Sequence, residues 1–214
     1  MRLRHKAWAI PELEQDNRIF FDPVENKGNW GHVFGNDNPI HLEIGSGWGK
    51  FALTTATENP DINMIALERD ANVLVYAARD FREADLPNLV GLRTIAERLT
   101  EFFDEGELDR IVLNFSNPWP ANRHAKRRLT HPRFLAMYET LLKVGGEVHF
   151  KTDGEDFFRQ SVRYLEASPF DIIEVDEDVA ADKPGNVMTE YEEKWRNQGV
   201  PIKYLRAKLG SDEV

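Results

Sequence analysis

The sequence contains no cysteine. That excludes disulfides, thiolate zinc sites and a cysteine nucleophile together, and it suits a reducing compartment such as the cytoplasm. Long apolar runs are also missing. Nothing approaches the roughly 18–20 residues of a membrane span, and the basic start Met1-Arg2-Leu3-Arg4-His5-Lys6 is not followed by the apolar stretch of a secretory signal. Net positive charge is absent as well: 37 acidic against 27 basic residues leave −10, which excludes a general cationic coat for nucleic acid or membrane. One further gap is local. From Arg110 to Tyr138 there is no Asp or Glu, while Arg110, Arg123, Lys126, Arg127, Arg128 and Arg133 all fall there. The rest of the chain is therefore more acidic still. With a second basic cluster at Arg2, Arg4, His5 and Lys6, this segregation points to a local polyanion site on an acidic body.

What is present is enough for one domain with a full core: 214 residues, 41% of them hydrophobic. Residues 1–38 lack clear periodicity and end in turn-rich Gly35-Asn36-Asp37-Asn38-Pro39, which predicts a basic N-terminal arm and irregular lead-in to a single domain over 39–214. Beyond them, strand patterns over 40–44, 62–67, 89–94, 110–115, 147–151, 170–175 and 201–207 alternate with helical ones. The helical patterns cover 50–58, 71–84, 97–103, 132–143, 155–167 and 190–196, with Gly145-Gly146 placed to stop the fourth of them. Such βαβ alternation predicts an α/β, Rossmann-like fold with a mostly parallel seven-stranded sheet and helices on both faces. Ligands of these sheets sit beyond the carboxyl ends of the strands, so the loops there are where chemistry is expected.

The first such loop is Glu43-Ile44-Gly45-Ser46-Gly47-Trp48-Gly49-Lys50. A dinucleotide fingerprint needs a third glycine where Lys50 stands, and Glu43 would repel a pyrophosphate, which speaks against an oxidoreductase. A cationic nucleoside without phosphates fits better, and S-adenosylmethionine is one. Glu68, about 20 residues on, is placed to accept hydrogen bonds from an adenosine ribose. The bland alternative is a tight turn and an ordinary surface Glu.

The second loop is Asn114-Phe115-Ser116-Asn117-Pro118-Trp119-Pro120, after the most apolar strand. Two prolines and a tryptophan make a stiff platform of base size, and the amide of Asn117 can bond a base edge. Arg123-His124-Ala125-Lys126-Arg127-Arg128 follows at once, placed for phosphates. Taken alone, the loop is equally well a rigid proline turn.

Together with Met1–Lys6, Val33–Ile40, His149–Asp153 and Asn186–Trp195, these segments resemble the bacterial tRNA (guanine-N7-)-methyltransferase family over nearly the whole chain. The resemblance implies a class I methyltransferase fold, S-adenosylmethionine as methyl donor, and a guanosine in the tRNA variable loop as acceptor. It implies tRNA as partner, no membrane and no metal, for a monomer or homodimer. It assigns Glu43, Gly45, Gly47 and Glu68 to the donor. Asp153, Thr189, Glu190, Tyr191 and Glu192 go to the substrate, with Asp153 near the chemistry, and Arg123, His124, Lys126, Arg127 and Arg128 to the RNA. Thr189 and Glu192 also have the spacing of a helix capping box. Three positions depart from the family. Ile95 and Asn117 stand where it has Asp, a donor contact and the catalytic position respectively, and Ala121 stands where it has a substrate-contacting Lys. Those departures predict lowered catalytic efficiency, and they leave open a tRNA-binding protein of the same fold with weakened or lost activity.

Overall fold

The computed structural model describes residues 6–210, so Arg2, Arg4 and His5 lie outside the described residues. Two compact units divide the chain between Asp104 and Glu105.

The first unit holds α1 (Ala9–Leu13), β1 (Ile19–Phe21), α2 (Trp30–Phe34), β2 (Ile40–Ile44), α3 (Lys50–Glu58), β3 (Asn63–Leu67), α4 (Ala71–Ala84), β4 (Leu89–Arg93) and α5 (Leu99–Phe102). Its strands run in the order β1-β4-β3-β2, all parallel. Every residue of β2 and β3 is buried, the signature of strands covered on both faces. α4 begins where the Asp70 side chain accepts a hydrogen bond from the Asn72 N–H at 2.9 Å. It buries Val73, Leu74, Ala77, Ala78 and Phe81 and ends on left-handed Asp85. The segment expected as an irregular lead-in carries α1, β1 and α2. Ile19 pairs with Gly91, where a Cβ would lie 2.5 Å from the Ile19 Cδ1, so β1 needs a glycine opposite it. Three residues are too few to show alternation, and for that reason the described residues contain eight strands instead of seven.

The second unit holds β5 (Leu108–Asn114), α6 (Pro132–Leu141), β6 (Leu142–Thr152), α7 (Glu155–Glu166), β7 (Phe170–Asp176), α8 (Glu190–Arg196) and β8 (Lys203–Leu209). Strand order is β5-β6-β8-β7: β5 and β6 are parallel, and β8 is antiparallel to both neighbours. Gly145 and Gly146 do not separate helix from strand as expected but lie inside β6. The register against β5 shifts between Leu108 and Arg110, and a Cβ on Gly146 would come within 2.9 Å of the Lys143 carbonyl oxygen. The glycines carry that irregularity.

Candidate functional site

In the first unit, the chain leaves β2 through Gly45, Gly47 and Gly49, all at positive φ (82°, 59° and 80°). Two of them differ in purpose from the third. A Cβ at Gly45 or Gly47 would meet nothing within 4 Å, so there glycine serves the left-handed backbone of an open cradle. At Gly49 a Cβ would press on Ala77 and Phe81 at 2.7–2.8 Å, so this one lets α3 start hard against α4. The Gly45 and Ser46 N–H groups both donate to the Leu67 carbonyl at 2.8 and 2.9 Å, tying the loop to the end of β3.

The two acids flank this cradle. Glu43 is buried in β2, 2% exposed. Glu68 follows β3 and reaches back: its Oε2 accepts from the Gly47 N–H at 3.1 Å and its Oε1 from the Asp70 N–H at 2.8 Å. Burial raises the Glu68 pKa, against the opposing pull of the backbone donors. Its carboxylate thus braces the loop, and each oxygen keeps lone-pair capacity for ribose hydroxyls. Open left-handed backbone between two carboxylates fits a cationic nucleoside such as S-adenosylmethionine. Ile95, 42% exposed, heads the short 3-10 turn Ala96–Arg98 after β4 and offers no side-chain acceptor.

An aromatic group beside this loop had no signal in the sequence. Trp48, 43% exposed, lies 4.9 Å from the Tyr76 ring of α4. Lys6 Nζ donates to the Tyr76 hydroxyl at 2.7 Å, and the Lys6 N–H donates to Asn72 Oδ1 at 2.7 Å. The basic start is therefore pinned to α4 at its last residue.

In the second unit, the loop after β5 carries a turn of its own. Exposed Asn117 accepts the Trp119 N–H on its Oδ1 at 2.9 Å, an Asx turn. Phe115 and Trp119 have φ of 49° and 41°, unusual for aromatic residues. Trp119 has the Arg127 guanidinium over its ring at 4.9 Å and His124 edge-on at 5.8 Å. Ala121 precedes the 3-10 helix Asn122–Arg127, from which Arg123, Lys126 and Arg127 are exposed.

Two expected ligands face inward instead. Arg128 is 2% exposed; its Nε donates to the Pro118 carbonyl at 2.8 Å, its Nη2 to the Trp119 carbonyl at 3.0 Å and its Nη1 to Gln160 Oε1. It grips the loop from within, where an RNA contact was expected. Glu192 is 0% exposed. The Thr189 Oγ1 accepts the Glu192 N–H at 3.0 Å, but the Glu192 carboxylate does not close the capping box. It takes Lys151 Nζ at 2.9 Å, Arg196 Nη2 at 2.7 Å and Asn186 Nδ2 at 3.1 Å. Burial works to raise the Glu192 pKa; Lys151, Arg196 and Asn186 outweigh it and hold the group below the ordinary carboxylate range. Its carboxylate is a structural hub where a substrate contact was expected.

Glu190 and Tyr191, by contrast, are exposed, and the Tyr191 ring stacks on Phe115 at 6.2 Å. That stack brings the start of α8 alongside the Asn117 loop. Half-buried Asp153 directly follows β6. A separate network lies on β6 and β8: His149 Nε2 meets Glu147 Oε2 at 2.7 Å, and Tyr204 OH meets His149 Nδ1 at 3.0 Å. The His149 hydrogen bond holds the Glu147 carboxyl at about 2, and burial lowers the His149 pKa.

A family model described as "Putative methyltransferase" matches residues 37–205. A tRNA (guanine-N(7)-)-methyltransferase of Bacillus cytotoxicus is 44% identical over 217 residues, covering 100% of both chains. One from Listeria welshimeri serovar 6b is 47% identical over 98% of this chain and 99% of its own. Among solved structures, the 16S rRNA methyltransferase KamB superposes with a TM-score of 0.67 at 15% identity, covering 86% of this chain and 94% of its own. An antibiotic-related methyltransferase gives 0.64 at 17% identity and the same coverage. These likenesses establish the Rossmann-like class I methyltransferase fold, and among the described residues no helix is long and apolar enough to cross a membrane. On its full-length identity to those relatives, the chain belongs to the bacterial tRNA (guanine-N7-)-methyltransferase family.

Proposed function

We propose that this protein transfers a methyl group from S-adenosylmethionine to N7 of a guanine in tRNA, the target guanosine lying in the variable loop. The observation that carries the reading is 44% identity to a tRNA (guanine-N(7)-)-methyltransferase with neither chain left uncovered. The site chemistry is consistent with it. Nothing favours the alternative of a tRNA-binding protein that has lost activity.

The donor, when bound, supplies an electrophilic methyl on a sulfonium. Glu43, Gly45, Gly47 and Glu68 would hold it: the glycines let the backbone approach closely, and the carboxylates take its hydroxyls and offset its charge. Guanine N7 presents a lone pair and carries no proton, so the reaction needs no general base. The protein's task is to align the acceptor and to stabilise the positive charge that grows on the purine. Asn117, Asp153, Glu190 and Tyr191 are proposed to form the base site, with buried Thr189 capping the helix that carries two of them. Tyr191 offers a ring face, Asp153 and Glu190 offer negative charge, and Glu192 fixes the start of α8 from below. Exposed Arg123, Lys126 and Arg127, with His124, are proposed to take phosphates.

The test is methyl transfer to an unmodified tRNA transcript, with nucleoside analysis of the product. N7-methylguanosine at one variable-loop position is expected. A different methylated nucleoside, or none with donor and tRNA both bound, overturns the proposal.

A further inference from the structure

The arginine run splits between outward and inward side chains, and the inward one has a job of its own. We infer that Arg128 is the positioning residue of the loop that carries Asn117, and not a contact to RNA phosphate. This rests on the proposed function, whose base site includes that loop.

Arg128 follows directly on the 3-10 helix Asn122–Arg127 and has extended backbone, which turns its side chain away from the face that shows Arg123 and Lys126. Its guanidinium then spans two successive carbonyls, those of Pro118 and Trp119, at 2.8 and 3.0 Å. Gln160 of α7 engages the third nitrogen, and the Phe157 ring of the same helix lies 5.9 Å away. Side chains beneath are locked in turn. Thr130 and Ser161, each 0% exposed, bond one another at 2.7 Å, and Ser161 donates to the Phe157 carbonyl at 2.8 Å.

What this fork holds is a backbone that does not hold itself. Trp119 has φ of 41°, a left-handed conformation that costs a non-glycine residue free energy and persists only where its surroundings over-determine it. Two constraints meet at that residue: Asn117 Oδ1 takes its N–H, and Arg128 takes its carbonyl. Releasing the second leaves the first to oppose the strain alone, and Asn117 then loses its place. Only arginine presents several donors in one rigid plane; lysine is a point donor and cannot bridge two carbonyls and Gln160 together. The acid-free stretch around Arg128 also acquires a reason, because a nearby carboxylate would compete with neutral carbonyls for the guanidinium.

Three measurements on Arg128→Lys, Arg128→Gln, Gln160→Leu and Arg127→Ala decide the matter. Hydrogen exchange over residues 115–122, read by mass spectrometry, needs no activity, so it tests the clamp even if the proposed function fails. Faster exchange confined to this loop is expected in R128K and Q160L. Single-turnover methyl transfer at saturating tRNA should fall about 10–100-fold in R128K, the scale of a misplaced reacting group. The slope of log Kd for tRNA against log salt should be unchanged in R128Q, which removes the charge, and lowered by about one unit in R127A. Urea unfolding checks that R128K stays folded; if it does not, Q160L, which removes only the orienting partner, carries the test with a smaller rate loss. A salt slope lowered by about one in R128Q, with loop exchange unchanged in R128K and Q160L, would make Arg128 a phosphate contact and overturn the inference. So would exchange and single-turnover rate both at wild-type levels in R128K and Q160L.

Discussion

Replacing Asn117 by Asp turns the family departure at this position into a quantitative test. The substitution is nearly isosteric, and it keeps the acceptor that matters for shape: Asn117 Oδ1 takes the Trp119 N–H at 2.9 Å, and an aspartate oxygen can do the same with a charge-assisted bond. The loop should therefore keep its Asx turn and its Arg128 grip. What changes is one negative charge beside a purine that becomes cationic as the methyl transfers. At a separation of about 5 Å that charge is worth roughly 0.8 kcal/mol if screened as in bulk water and roughly 3 kcal/mol at an effective dielectric of 20. Asn117 is exposed before RNA binds and will be partly desolvated under it, so the gain should lie between these limits, about 4- to 160-fold in rate. Because the purine is neutral in the ground state, the gain belongs to turnover and only weakly to tRNA affinity. Single-turnover methyl transfer at saturating unmodified tRNA and donor measures it, with Asn117→Ala as the control that loses the turn. A clear fall in rate for N117D with tRNA binding intact would refute the reasoning, since it would show Asn117 fitted to a site in which a charge at this place opposes catalysis.

Three further outcomes are expected. Glu68→Ala should weaken S-adenosylmethionine binding about 10–100-fold by calorimetric titration, since it removes a charged acceptor and leaves the Gly47 and Asp70 N–H groups without it; unchanged affinity would remove Glu68 from the donor site. Lys151→Met leaves the Glu192 carboxylate fully buried with one cation fewer and should cost about 3–5 kcal/mol in urea unfolding; a loss below about 1 kcal/mol would mean that Arg196 and Asn186 suffice. Stability should be complete above about pH 6.5 and fall with acid in two stages: first as the unfolded chain takes up a proton that buried His149 resists, then below about pH 4.5 as Glu147, held at about 2, must protonate. Glu147→Gln should flatten the second stage in a pH series of urea titrations, and an unaltered profile would exclude that group as its source.

The fold was legible wherever burial imposed a period. The helix predicted over 71–84 is α4 with the same bounds, because its apolar residues recur at helical spacing under an Asp70 cap. β2 has its predicted bounds because Ile40, Leu42 and Ile44 make a short apolar-rich segment closed by Gly45. β1 was hidden by its length. The start of β6 was hidden by chemistry: Gly145 and Gly146 signal a turn in a sequence, and only the neighbouring strand shows that they serve a register shift instead. The strand expected over 201–207 is β8 at Lys203–Leu209, but its place between β6 and β7, antiparallel to both, is a tertiary fact with no local mark.

At the candidate site, residue type and spacing picked out the loops to inspect, but side-chain direction did not follow from either. Charge illustrates the limit. Arg127 and Arg128 are adjacent and identical in composition, yet one lies exposed over the Trp119 ring and the other is buried under the Trp119 carbonyl. What separates them is the end of a 3-10 helix, a boundary that no single-residue preference marks. The same holds at α8, where Tyr191 is exposed against Phe115 while Glu192, one residue on, is closed in by Lys151, Arg196 and Asn186. A helix start turns successive residues by about 100°, so a motif of consecutive residues cannot all meet one ligand. In each pair the outward member can meet RNA and the inward member fixes its backbone. A run of like residues at a binding site is thus a contact set and its support written in one line, and burial is what tells them apart.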